Sequence, residues 1–187
     1  MKKFKTTFYT LIVLSIVVLS LHSCKPNKNE CDNCETELIT TLNVALTDSA
    51  TGAVSHFTFR DLDGDGANAP VQFDTIKLLA NHTYTASLLV LDESKTPADT
   101  ISNQILEEAN DHQFFFHTHD VIVNFSYLDF DWHTPPMPVG LTTKWYVGST
   151  TATGAIHVVL KHQPGIKDGN EATGDVDLDV EFNALVQ

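Results

Sequence analysis

The stretch Asp175-Val176-Asp177-Leu178-Asp179-Val180-Glu181-Phe182-Asn183-Ala184-Leu185-Val186 alternates apolar and polar residues without a break until its end. Successive side chains of an extended chain point to opposite sides. Val176, Leu178, Val180, Phe182, Ala184 and Val186 therefore share a face that belongs in a core. Asp175, Asp177, Asp179, Glu181 and Asn183 share the face that belongs in water. The same signal, shorter and less regular, recurs every 8–15 residues back to Leu38, between clusters of Gly, Pro, Asn and Asp. Strands are predicted at 38–46, 55–60, 71–79, 84–91, 113–117, 121–127, 141–147, 155–160 and the closing run, most rich in β-branched and aromatic residues.

One segment breaks this rhythm. Ile101, Ile105 and Ala109 recur at helical spacing, with Asp99 or Thr100 available to cap the first turn, which predicts one short helix crossing between sheets. Many short strands without alternating helices predict an all-β fold. Its form is a two-sheet antiparallel immunoglobulin-like sandwich rather than a closed barrel. Phe114, Phe115 and Phe116, inside a predicted strand, read as packed core.

Upstream of residue 38 the chain has a different character. Lys2, Lys3 and Lys5 precede the apolar run 11–21, which ends in Leu21-His22-Ser23-Cys24. This is the order of a secretory signal, and the run is too short for a membrane helix of about 20 apolar residues. The ending resembles a lipobox, so residues 1–24 are expected to be a lipoprotein signal peptide with Cys24 as the lipidated residue. More than one acyl chain there would give stable anchoring. Lys25 follows, with no aspartate to retain the product at the inner membrane, and the outer membrane is the expected location. Residues 25–37 are polar and read as a flexible tether, leaving 38–187 as a single β-sandwich domain. In an oxidising envelope Cys31 and Cys34 are expected to form a close disulfide.

Removing residues 1–24 takes away three of the 11 basic residues and none of the 24 acidic ones, moving the formal charge from −13 to −16. Such a balance excludes nucleic acid and anionic lipid surfaces as partners that need a positive face. No Ser-His-Asp order, phosphate-cradling glycine loop or paired-carboxylate context stands out, and no enzyme is expected.

Two features point to cations. Eight histidines remain after residue 24. His117 and His119 project to the same side of an extended chain, the spacing that lets two imidazoles share Zn²⁺ or Cu²⁺. His112, His133 and His162 are the further candidates to complete the set. The loop Asp61-Leu62-Asp63-Gly64-Asp65-Gly66 places oxygens at alternate positions before a glycine, as in the first half of a calcium loop. Gln72 and Pro70 depart from the helix-flanked pattern, so Asp61, Asp63 and Asp65 predict either a partial Ca²⁺ site or an acidic turn.

The string 57–70 (FTFRDLDGDGANAP), then His112-Gln113-Phe114-Phe115-Phe116, Lys161-His162-Gln163-Pro164 and Asp177-Leu178-Asp179-Val180-Glu181-Phe182, resembles a group of small Gram-negative envelope lipoproteins. These are known as the type 1 periplasmic binding fold superfamily. The resemblance implies an exported lipoprotein, a solute-binding role and work beside a TonB-dependent outer-membrane receptor. The two-lobed α/β architecture of that label needs more chain and many more helices than are present here. Three functional expectations therefore stand side by side: a non-catalytic accessory lipoprotein binding a divalent metal or solute, a protein-interaction module without a small ligand, and a calcium-stabilised envelope domain.

Overall fold

The computed structural model describes residues 38–64 and 68–187. The expected signal peptide, Cys24, the tether and the Cys31 and Cys34 pair lie outside the described residues, as does Asp65. Among the described residues no helix is long and apolar enough to cross a membrane.

The strands are β1 (Thr41–Asp48), β2 (Val54–Arg60), β3 (Gln72–Phe73), β4 (Ile76–Leu78), β5 (Thr83–Leu91), β6 (His112–His119), β7 (Val123–Tyr127), β8 (Thr142–Val147), β9 (Ala152–His162) and β10 (Asp175–Val186). One helix, α1 (Ile101–Glu107), joins β5 to β6. They form two sheets, ordered β3-β2-β1-β5-β8-β7 and β4-β10-β9-β6. The fold is thus the all-β two-sheet sandwich with one short helix. Every pairing is antiparallel except β10 with β4, which is parallel.

The alternation of β10 is realised along most of its length. Leu178, Val180, Phe182, Ala184 and Val186 are buried, while Asp179, Glu181 and Asn183 are exposed. These side chains meet Leu42, Val44, Leu46, Ala86, Val90 and Trp145 of the six-stranded sheet in one continuous core. Trp145 is fully buried, packs edge-on against Phe125 and Phe116, and donates its indole N–H to Thr143 Oγ1 (2.8 Å). Phe114 belongs to the same core, and Phe116 packs against it.

Three departures from the sequence expectation matter. The single strand expected over 71–79 is two, because the chain leaves one sheet for the other at Asp74 and Thr75. Asp74 Oδ2 accepts the Thr58 N–H (2.8 Å) and the Gln72 side-chain amide (2.9 Å), holding the corner while β4 crosses to β10. The helix stops at Glu107, although Ala109 beyond it is still buried. The first residues of β10 do not keep the alternation. Between Val176 and Leu178 the register against β9 shifts by one residue, a β-bulge at Asp177. A bulge re-aims the side chain it carries. Val176 is accordingly 53% exposed and the Asp177 side chain only 5%, the reverse of the simple pattern.

The register also fixes which ends meet. His112 at the start of β6 lies opposite His162 at the end of β9, which lies opposite Asp175 at the start of β10. The α1 helix ends beside them, tied to β5 by the Val90 N–H donating to Ser102 Oγ (2.6 Å). One end of the four-stranded sheet therefore collects residues from α1, β6, β9 and β10.

Trp145→Ala should cost about 3–5 kcal/mol in urea unfolding, by lost burial and the cavity left behind. The neighbouring Tyr146, 45% exposed on the other face, costs less than about 1 kcal/mol on the same change. Equal losses at the two positions would contradict the sandwich's inside and outside.

Candidate metal centre

The site sits where that sheet end and the helix end come together. Glu108 follows α1 as its C-cap, and four residues later His112 opens β6. The His112 side chain is 2% exposed, and its Nδ1 lies 3.2 Å from the Glu108 carbonyl oxygen. A carbonyl only accepts, so Nδ1 carries the proton and Nε2 carries the lone pair. Burial pushes the imidazole pKa down to about 4, and the ring is neutral at neutral pH.

His162 stacks on His112, ring centroids 4.6 Å apart and planes within 2°. Glu108 Oε2 lies 4.0 Å from His112 Nδ1. Each of Glu108, His112 and His162 offers a ligand atom within 4.8 Å of the others, the one such group of three among the described residues. Asp177 approaches the opposite edge of the His112 ring, with Oδ2 3.7 Å from Nε2. Its Oδ1 is buried without a hydrogen-bond partner, and burial pushes its carboxyl pKa up.

Neighbouring loops tie this end together through buried contacts. Lys167, side chain fully buried, donates to the Ala109 carbonyl (2.8 Å) and pairs with the equally buried Asp131 (2.9 Å). Burial raises the Asp131 pKa, but the Met137 N–H, Lys167 and His133 outweigh it and hold the carboxyl at about 2. Gln163 Nε2 donates to the Asn170 and Thr173 carbonyls, closing the loop that leads from β9 into β10. Gly174 in that loop has φ +73, and a Cβ there would lie 2.2 Å from the His162 carbonyl oxygen. Only glycine lets the chain turn so close to β9.

Of the candidate histidines, the fold brings His112 and His162 together. His117 and His119 do share the outer face of β6, as their spacing requires, yet each meets its own carboxylate. His117 Nε2 bonds Glu171 Oε2 (2.5 Å), and His119 Nε2 lies 3.6 Å from Glu181 Oε2. His157, directly across from His117 on β9, bonds Asp179 (2.6 Å). His133 bonds Asp131 (2.8 Å) in the loop before β8. In the predicted calcium loop Asp61 is buried and Asp63 half-buried. The Asp61 carboxyl, then the Asn68 side chain, hold the Asp63 pKa below the usual range, and the Asn68 N–H also donates to Asp63 Oδ2 (3.0 Å).

Sequence reasoning missed Glu108 and Asp177. Glu108 lies in the turn between α1 and β6, so neither helical nor strand periodicity links it to His112. Asp177 had no signal either, since the alternation of its strand assigns it to water.

No protein-family model matches the chain, and no curated protein and no solved structure matches it either.

The buried neutral His112 has a consequence for stability. Its folded pKa, about 4, lies below its ordinary 6.5, so its contribution is fully present above 6.5 and is lost as pH falls through 4. In EDTA, the unfolding free energy of the natural protein should drop between about pH 7.5 and 4.5 by on the order of 2 kcal/mol more than that of His112→Gln. Identical pH slopes for the two proteins would show that His112 is not buried as a neutral ring.

Proposed function

We propose that this chain is a lipid-anchored, non-catalytic accessory lipoprotein of the Gram-negative outer membrane that binds a divalent transition-metal ion beside a TonB-dependent uptake receptor. The convergence of Glu108, His112 and His162 carries the metal part of this reading. The envelope part is supported by the basic, apolar and Cys24 order of residues 1–24 and by the lipoprotein resemblance.

Two imidazoles and a carboxylate suit Zn²⁺ or Cu²⁺ better than Ca²⁺, which takes oxygen ligands. The neutral His112 ring needs no deprotonation before it ligates, and its Nδ1–H is oriented by a carbonyl, the outer-shell arrangement that fixes a ligand histidine. A metal ion lies in the plane of each imidazole it binds. Two parallel stacked rings therefore cannot share an ion as they stand, and the half-buried His162 must turn about its Cβ–Cγ bond. His117 and His119 on the outer face are exposed, and among the described residues they belong to no group of three converging ligand atoms.

Two measurements test the reading. Calorimetric titration of the mature protein in detergent with Zn²⁺ should give one site. The His112→Ala/His162→Ala double variant should weaken it at least about 100-fold, because even outer-shell partners of a metal ligand matter by 10–100-fold. The His117→Ala/His119→Ala double variant should leave the affinity unchanged. No heat with the natural protein, or loss only in the second variant, would remove this site. Separately, cells expressing the chain should incorporate labelled palmitate into it, and Cys24→Ser should abolish the label. Label surviving that change would remove the anchor.

A further inference from the structure

The two acceptors that face each other at the bulge of β10 have no hydrogen between them. His112 Nε2 presents a lone pair because the ring's proton is held at Nδ1 by the Glu108 carbonyl. Asp177 Oδ2 stands 3.7 Å from it, too far for a hydrogen bond even from a protonated carboxyl. Asp177 Oδ1, on a side chain 95% removed from solvent, has no partner. Buried polar groups in folded proteins are nearly always satisfied, and an orphaned carboxylate oxygen is among the most costly to leave so.

The backbone takes an irregular course to put it there. Without the extra residue in β10, Asp177 would follow Asp179 and Glu181 onto the wet outer face. The bulge turns it inward against His112. Gly174, with its left-handed φ and its close approach to the His162 carbonyl, opens the turn that delivers the bulged segment to that place.

From these observations we infer that Asp177 is a metal ligand, completing with His112 Nε2, His162 and Glu108 a closed set of two imidazoles and two carboxylates for a four-coordinate ion such as Zn²⁺. The inference rests on the metal reading above and adds to it a ligand, an attachment atom on His112 and a coordination number. The spacing of one donor pair is consistent with the metal. Ligand bonds of about 2.0–2.2 Å spread at tetrahedral angles place donor atoms about 3.3–3.6 Å apart, close to the separation of His112 Nε2 and Asp177 Oδ2. Glu108, exposed at 58% on its side chain and lying at the Nδ1 edge, must swing and the stacked His162 must turn to join, since Asp177 lies outside their group of mutually close ligand atoms and only its Oδ2 and His112 Nε2 already stand at ligand spacing. A filled site would then clip the end of α1 to β6, β9 and β10.

The test uses the full mature chain in detergent, with Zn²⁺ for affinity and Co²⁺ as the spectroscopic probe. Asp177→Asn keeps the shape and removes the charge, and Asp177→Leu serves as a second variant should the amide fail to fold. Three results are expected together: Zn²⁺ affinity at least about tenfold weaker, loss of the intense visible absorption that marks four-coordinate Co²⁺, and a metal-free melting temperature that is unchanged or higher. The last separates a ligand from a structural residue, since removing an unpartnered buried carboxylate relieves the fold. Natural affinity and natural Co²⁺ spectrum in both variants, with His112→Ala/His162→Ala still inactive, would overturn the inference and leave the metal reading intact. A lower metal-free melting temperature with the metal response retained would overturn it as well, making Asp177 structural. No Zn²⁺ or Co²⁺ uptake by the natural protein would remove the metal reading and this inference with it.

Discussion

Two sheets that face each other across a core must keep their inner surfaces dry, and the strand alternation that achieves this governs the rest of the molecule. From Leu178 to Val186, β10 supplies one wall of that core, and Trp145, Leu42 and Val44 supply the other. Burial of apolar side chains contributes roughly 1.5–3 kcal/mol each. Polar residues are therefore expelled to the outer faces along the middle of every strand. Only at strand ends, where the chain must turn and the sheets no longer oppose one another, can a polar side chain be buried without leaving a hole in the core.

The protein exploits one of its ends in this way. His112, Gln113, Asp131, Lys161, Gln163 and Lys167 are all buried there, beside the inward-turned Asp177. Most of this burial is compensated. Lys167 finds Asp131 and a carbonyl, and Gln163 finds two carbonyls through its amide nitrogen. A paired buried charge adds little net stability over apolar residues of the same volume, because desolvation offsets the attraction, but breaking such a pair is costly. The network thus acts less as glue than as a frame, fixing the backbone around His112 and His162. Asp177 is the acid in this region with a buried oxygen that no donor reaches.

How much of this could be read from the residues alone depends on distance along the chain. The closing strand was legible because alternation is a local property, and Ile101 with Ile105 announced the helix for the same reason. The run 71–79 looked like one strand because nothing local marks the corner at Asp74, which is held by a hydrogen bond to Thr58 on another strand. His117 and His119 could be placed on one face by counting, and they are on one face. Whether a third donor joins them depends on register with β9 and β10, which counting does not supply. The pairing of His112 with His162 is such a register fact. Asp177 is the hardest case, since the alternation that identifies its strand assigns it to the wrong side, and a one-residue bulge reverses the assignment.

The contrast between the two histidine groups follows from solvent rather than from composition. On the outer face, His117, His119 and His157 each lie against a carboxylate, in contacts that water and salt screen. At the sheet end, burial removes water from His112, keeps its ring neutral and leaves its Nε2 lone pair facing an acid whose Oδ1 has no hydrogen-bond partner. The same residue types, on the same two strands, are thus a solvated surface in one place and a largely buried cluster in the other, and for Asp177 the difference lies in the bulge and the turn that take it out of water.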